Sequence, residues 1–135
     1  MKTISLLAIS VIVFAFLAGC GGNSNTPEGV VRKQIDAMRK WDTKTAFSYV
    51  SFANEAAKEE ALKNIENVSN EAKNISIAIA NNTKIIKTEI NGDSAIVHTE
   101  IPIVGTSGVQ LDQKEEIKIE LLKKDGAWLI VRRYR

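Results

Sequence analysis

The hydrophobic pattern changes its period near Asn74, and this change does most to limit the folds open to the chain. Before Asn74, apolar residues recur every three or four positions, which is the spacing of a helix that buries one face. After it, apolar and polar residues alternate between turn sequences, which is typical of antiparallel strands. The order predicts an α+β fold, in which N-terminal helices pack on a curved antiparallel sheet of about four strands.

Three helices are predicted in the first half of the chain. Thr26-Pro27-Glu28 combines an N-cap hydroxyl, a proline suited to the first turn and an acid near the positive helix end, so a helix is expected to begin there. Asp42 is expected to cap a second, short helix. The apolar residues of that short helix are Ala46, Phe47 and Val50. A third helix is expected from Asn54 to about Lys73, where alanines recur at helical spacing.

The predicted strands are separated by turn sequences. The first strand is expected in the alternating isoleucines Ile75, Ile77 and Ile79. Two short segments, Asn91-Gly92-Asp93 and Asp125-Gly126, are strong hairpin signals. A longer turn is expected at residues 105–108, and Pro102 shortly before it indicates an edge or a bulge.

The start of the chain has the features of an export signal. Lys2 gives a positive start, and residues 4–17 carry no charge, a run shorter than the roughly 20 residues of a spanning helix. The segment Leu17-Ala18-Gly19-Cys20 then resembles the lipobox of bacterial lipoproteins. That resemblance implies that the Cys20 thiol receives a diacylglycerol and that residues 1–19 are removed.

Lipidation of Cys20 predicts a protein anchored on a bacterial cell membrane and facing the periplasm or the exterior. One acyl chain binds a membrane only marginally, whereas two or three chains of the palmitate type hold stably. Gly21 stands where an aspartate would resemble an inner-membrane retention signal, so the outer membrane is favoured in a cell that has two. Residues 20–25 form the lipidated cysteine and a flexible tether, and residues 26–135 form the domain.

Four segments of the domain have a characteristic order and spacing. They are Pro27-Glu28-Gly29-Val30-Val31 with Ile35 and Met38, Asp42 with Ala46 and Phe47, Asn91-Gly92-Asp93-Ser94-Ala95-Ile96-Val97, and Lys124-Asp125-Gly126-Ala127-Trp128-Leu129-Ile130. Together they resemble the nuclear transport factor 2-like (cystatin-like) superfamily, particularly its small uncharacterised bacterial lipoproteins, and this implies a cone-shaped domain. Trp41 departs from the pattern, because the residue before Asp42 is often glycine in similar sequences.

The resemblance implies a fold rather than an activity, since the superfamily includes isomerases, dehydratases, ligand carriers and scaffolds. The leading hypothesis is a non-enzymatic, membrane-anchored binding or accessory module for an envelope protein or a small apolar ligand. The alternative is an enzyme or carrier that uses the interior of the cone. A third hypothesis is a scaffold that associates with itself through the outer sheet face. No cofactor is expected.

A possible pocket is assigned to Trp128, Tyr49, Phe47 and His98, although aromatic residues in such positions are more often core. His98 is the only histidine, which excludes a His-rich metal site. Alternation places it on the strand face opposite Ala95, as a partly exposed structural residue, with an acid–base role as the alternative. No catalytic set and no metal site is expected.

Charge excludes one class of partner. The chain has 18 Lys and Arg against 16 Asp and Glu, a net charge of +2 that is too small and too interspersed for nucleic-acid binding. A small basic cluster ends the chain at residues 132–135. It is expected to be a solvated strand end, with contact to anionic lipid headgroups as the alternative.

Overall fold

The computed structural model describes residues 26–135, in which four helices pack against a four-stranded antiparallel sheet. The helices are α1 (Pro27–Arg39), α2 (Thr43–Ser48), α3 (Glu55–Glu66) and α4 (Asn70–Asn81). The strands, paired in chain order, are β1 (Lys84–Asn91), β2 (Ser94–Gly105), β3 (Gly108–Lys124) and β4 (Ala127–Tyr134). The predicted α+β fold is confirmed. The leader, the lipobox, Cys20 and the tether lie outside the described residues.

The first two helices begin where the capping residues predict. The Thr26 hydroxyl accepts a hydrogen bond from the backbone N–H of Gly29 at 3.0 Å, and the Asp42 carboxylate accepts one from Thr45 at 3.1 Å. Each such cap is worth about 1 kcal/mol. The second helix is shorter than expected, because it ends at Ser48 and Val50 instead forms a parallel bridge with β4.

The corner between α1 and α2 is formed by Trp41, which takes a φ of 55°. This left-handed conformation favours glycine and costs other residues roughly 1–2 kcal/mol. Trp41 therefore has the backbone conformation that suits the glycine often found at this position in similar sequences, and it differs from that glycine in its side chain. The indole ring lies under the ammonium group of Lys73 in α4, 5.8 Å from the ring centroid, so it ties the corner to a distant helix.

The structure corrects the prediction for residues 54–81. The expected third helix is divided at residues 67–69, where the Ser69 hydroxyl accepts from the backbone N–H of Ala72 at 3.1 Å and starts a new helix. That helix, α4, continues through the alternating isoleucines, so the strand predicted there was wrong. Ile75 and Ile79 are four residues apart and share a helix face. Because residues i and i+4 lie on the same side in a strand as well, this short alternating run fits both structures.

The hairpin predictions are confirmed. The turn between β1 and β2 contains Gly92 at φ 61°, and the turn between β3 and β4 contains Asp125 at φ 50° and Gly126 at φ 80°. Positive φ values at these positions match the twist that hairpins require. The β2–β3 register also shifts directly after Pro102, where an edge or a bulge was expected.

The core lies between α1 and the face of the sheet that the helices contact, which is called the inner face below. Its buried members are Val30, Val31, Ala95, Val97, Ile119, Leu121, Trp128 and Ile130. Full burial of a large apolar side chain contributes about 1.5–3 kcal/mol. These residues come from α1, β2, β3 and β4, so residues 26–135 contain a continuous core that joins the first helix to the sheet. None of its four helices has the length and apolar content required to cross a membrane.

Candidate functional site

The helices leave one part of the inner sheet face uncovered. A cavity of about 460 Å³ lies there, between the C-terminal half of α1, the C-terminal half of α4 and the sheet, and it opens to solvent. The apolar side chains that line it are Ile35, Met38, Ile79, Ala80, Ile101, Ile117 and Ile119. A mostly apolar cavity within the range of about 300–1,000 Å³ is typical of sites for small molecules.

The hydroxyl groups in the cavity wall are already used by the protein. Ser76 donates to the carbonyl of Ala72 at 2.9 Å, and Thr83 donates to that of Ile79 at 2.7 Å. Thr99 in β2 donates across the sheet to the carbonyl of Ile117 at 2.9 Å. These hydroxyl protons are therefore used within the protein, and toward a ligand the three groups can act only as acceptors.

A β-bulge places Arg133 at the cavity, which Arg135 at the chain end also lines. The β3–β4 register shifts between Glu120 and Leu121, so that Val131 is an extra residue in β4. After the shift, Arg133 is opposite Ile119 and lies on the inner side, whereas Arg132 is opposite Glu120 and lies on the outer side. The basic cluster at the chain end is therefore divided between the two faces of the sheet, rather than being only a solvated strand end.

Gln34 of α1 orients this arginine. It is only 4% exposed, its amide nitrogen donates to the carbonyl of Ala46 at 3.4 Å, and its amide oxygen accepts a hydrogen bond from Arg133. Solvent still reaches the Arg133 side chain, but the surrounding protein desolvates the guanidinium group and lowers the pKa of Arg133. An arginine side chain remains charged at neutral pH despite such a shift.

His98 lies on the other face of the sheet, opposite Ala95 as alternation predicts, but it is not partly exposed. Only 6% of the residue is accessible, because two glutamates enclose its ring. The ring nitrogen Nε2 lies 2.9 Å from the Glu89 carboxylate, and Nδ1 contacts the Glu116 carboxylate. The hydrogen bonds from His98 lower the pKa of both glutamates.

The structure places the four residues predicted to line a pocket in three separate environments. Trp128 is 6% exposed and belongs to the core, and Tyr49 packs against that core. The Phe47 ring packs on Phe52, with 5.7 Å between the centroids. None of the predicted four lines the cavity described above. Among residues 26–135, no group of three His, Cys, Asp or Glu side chains is placed to hold a metal ion.

Sequence reasoning missed Gln34 and Arg133. Gln34 had a signal, since it lies on the apolar stripe of α1, four residues after Val30 and four before Met38. A polar residue in such a position needs a partner inside the protein. Arg133 had no signal in the sequence, because the bulge that turns it toward the cavity depends on how two strands pair.

Comparison with solved structures supports the fold. An NTF2-like transpeptidase from Campylobacter jejuni superimposes with a TM-score of 0.53 at 19% identity, over 78% of this chain and 97% of that one. A SEC-C motif containing protein from Rhodopseudomonas palustris does so with a TM-score of 0.53 at 11% identity, over 83% and 80%. No protein-family model and no curated protein matches the chain. At these identities the likeness concerns the fold alone, and the predicted NTF2-like fold is confirmed.

Proposed function

We propose that this protein is a membrane-anchored binding module that holds a small apolar ligand in the cavity between α1, α4 and the sheet. The observation that carries the proposal is the cavity itself, about 460 Å³ with a mostly aliphatic wall. Burying a ligand against such a wall is favourable by roughly 25 cal/mol for each Å² of apolar surface removed from water, before the cost of association.

The lining favours binding over the enzymatic alternative. General acid–base catalysis needs a group such as a carboxylate or an imidazole within hydrogen-bond reach of the substrate. The lining residues, all of which the structure describes, include no Asp, Glu, His, Lys or Cys, and the one group of the acid–base type among them is the phenol of Tyr134. The one histidine and its two glutamates lie on the opposite face of the sheet. A carrier function would use the same cavity and needs no such group.

Binding can be tested with the purified domain, residues 26–135, and the uncharged fluorophore N-phenylnaphthylamine, whose emission rises in apolar surroundings. Saturable binding with one site per domain is expected. Met38→Trp should reduce the affinity by about tenfold or more, because a bulkier ring would occupy the cavity. Lys33→Trp is the matched control, since it places the same ring on an exposed part of the same helix. Absence of saturable binding, or equal binding by Met38→Trp, would overturn the proposal.

The membrane anchor is supported by the segment Leu17-Ala18-Gly19-Cys20. Cys20→Ala should move the full chain out of the membrane fraction of bacterial cells, because the thiol that accepts the lipid is lost. Ser24→Ala, in the same tether, should leave the protein with the membranes. Tight membrane association of Cys20→Ala after a high-salt wash would mean that the anchor is something other than a lipid on this residue.

A further inference from the structure

Arg133 lacks an acidic partner, in contrast to its two arginine neighbours. Arg132 pairs with Glu120 at 2.7 Å, and Arg135 pairs with Glu115 at 3.2 Å. In residues 26–135, the hydrogen-bond partner of Arg133 is the neutral amide of Gln34, and no carboxylate lies within 4.0 Å of its guanidinium group. A guanidinium has five N–H donors, so this hydrogen bond leaves donors available for a ligand.

The location of this cation decides what it can bind. Arg133 lines the cavity beside mostly aliphatic side chains, and partial removal from water strengthens the attraction between opposite charges. Arg135 also lines the cavity, but its charge is already paired with Glu115. The guanidinium fork matches the paired oxygens of a carboxylate or a phosphate. A ligand that satisfies both the aliphatic wall and the cation therefore has an apolar body and one anionic head.

We propose that the cavity binds an amphipathic anion, with its apolar body against α1, α4 and the sheet and its carboxylate or phosphate head on Arg133. This inference rests on the proposed binding function and adds the charge of the ligand. The bulge at Val131 brings the arginine to the cavity, and Gln34 holds it there. The bulge determines which arginine reaches the cavity, because without the extra residue in β4 the alternation would direct Arg132 to this face instead.

The test compares two probes that differ by one anionic group, N-phenylnaphthylamine and anilinonaphthalene sulfonate. The wild-type domain is expected to bind the anionic probe more tightly than the neutral one. Arg133→Gln should reduce the affinity for the anionic probe by about tenfold to a hundredfold, the range for loss of a charged hydrogen bond. Its affinity for the neutral probe should stay within about twofold of the wild type. Arg132→Gln is the matched control and should change neither affinity by more than about twofold.

The outcomes separate this inference from the function on which it rests. If the wild-type domain binds neither probe, the cavity function itself fails. If it binds the neutral probe with one site but Arg133→Gln leaves the anionic affinity unchanged, the function stands and the anion site is refuted. Thermal unfolding of each variant verifies that the domain is folded, and Arg133→Lys, which keeps the charge, should retain part of the preference for the anionic probe.

Competition identifies the head group. Decanoate and decyl phosphate, below their micelle concentrations, offer a carboxylate and a phosphate on the same chain, and decanol offers the chain alone. The proposal is supported if either acid displaces the anionic probe at a concentration at least about tenfold below the concentration of decanol that displaces the same amount. The acid that displaces the probe at the lower concentration shows which head is preferred. Equal displacement by decanol would overturn it.

Discussion

Two threonines with buried hydroxyl groups, on neighbouring strands, should respond to the same substitution with opposite signs. Thr88 in β1 is opposite Val97, and its hydroxyl is buried with no hydrogen-bond partner among the described residues. Thr99 in β2 is 1% exposed, and its hydroxyl donates to the carbonyl of Ile117 at 2.9 Å. Valine replaces the hydroxyl by a methyl group of similar size, so the two sites differ mainly in the hydrogen bond that is lost.

The expected magnitudes follow from that difference. A buried polar group without a partner costs about 1–3 kcal/mol, so Thr88→Val should raise the free energy of unfolding by about 1 kcal/mol. A made hydrogen bond contributes about 0.5–1.5 kcal/mol, so Thr99→Val should lower the free energy of unfolding by about 1 kcal/mol. The two variants should therefore differ by about 2 kcal/mol.

Urea unfolding of the domain, followed by tryptophan fluorescence, measures this difference. With a slope of about 1–3 kcal/mol per M, the two midpoints should be separated by about 1 M, with the wild type between them. An unchanged slope is required, since a change would mean that one variant alters the unfolded state. If both variants are destabilised equally, the Thr88 hydroxyl has a partner and the reasoning is refuted.

Two further predictions concern the Trp41 corner and the His98 cluster. Trp41→Gly should be more stable than Trp41→Ala by about 1 kcal/mol in thermal unfolding. Both variants lose the indole, but only glycine adopts the left-handed conformation of this residue without strain. Equal stabilities would contradict this reasoning. The pKa values of Glu89 and Glu116 are lowered in the folded domain, so their ionised forms stabilise it above the ordinary value of 4.5, and this stability is lost as the pH falls through the lowered values. The free energy of unfolding, measured from pH 7 to pH 3, should therefore fall more steeply below pH 4.5 in the wild type than in His98→Phe. If the two proteins lose stability in parallel, the contribution of the two glutamates is refuted.

The sequence predicted the elements that depend on local chemistry. Helix starts at Thr26 and Asp42 and the hairpin at Gly92 follow from side chains and backbone preferences within four residues of each other. The prediction of a strand at Ile75 failed because a short alternating run fits either period, and the cap that decides between them, Ser69, lies several residues earlier.

The candidate site could not be predicted in the same way, because it depends on contacts between distant segments. Gln34 and Arg133 are 99 positions apart in the chain and meet across the cavity. The burial of His98 likewise depends on Glu89 and Glu116, which belong to the two strands on either side of it. Alternation within one strand gives the face on which His98 lies, but the neighbours that enclose it are set by register.

The bulge at Val131 has a consequence for the evolution of this protein. A change of strand register by one residue would exchange Arg132 and Arg133 between solvent and cavity with no amino-acid replacement at either position. Relatives could therefore gain or lose a charge in the cavity through an insertion or a deletion in the last hairpin. Among such relatives, the arginine that corresponds to Arg133 would be identified by its pairing with the strand before it, and an ungapped alignment of the last strand would assign it to the wrong residue.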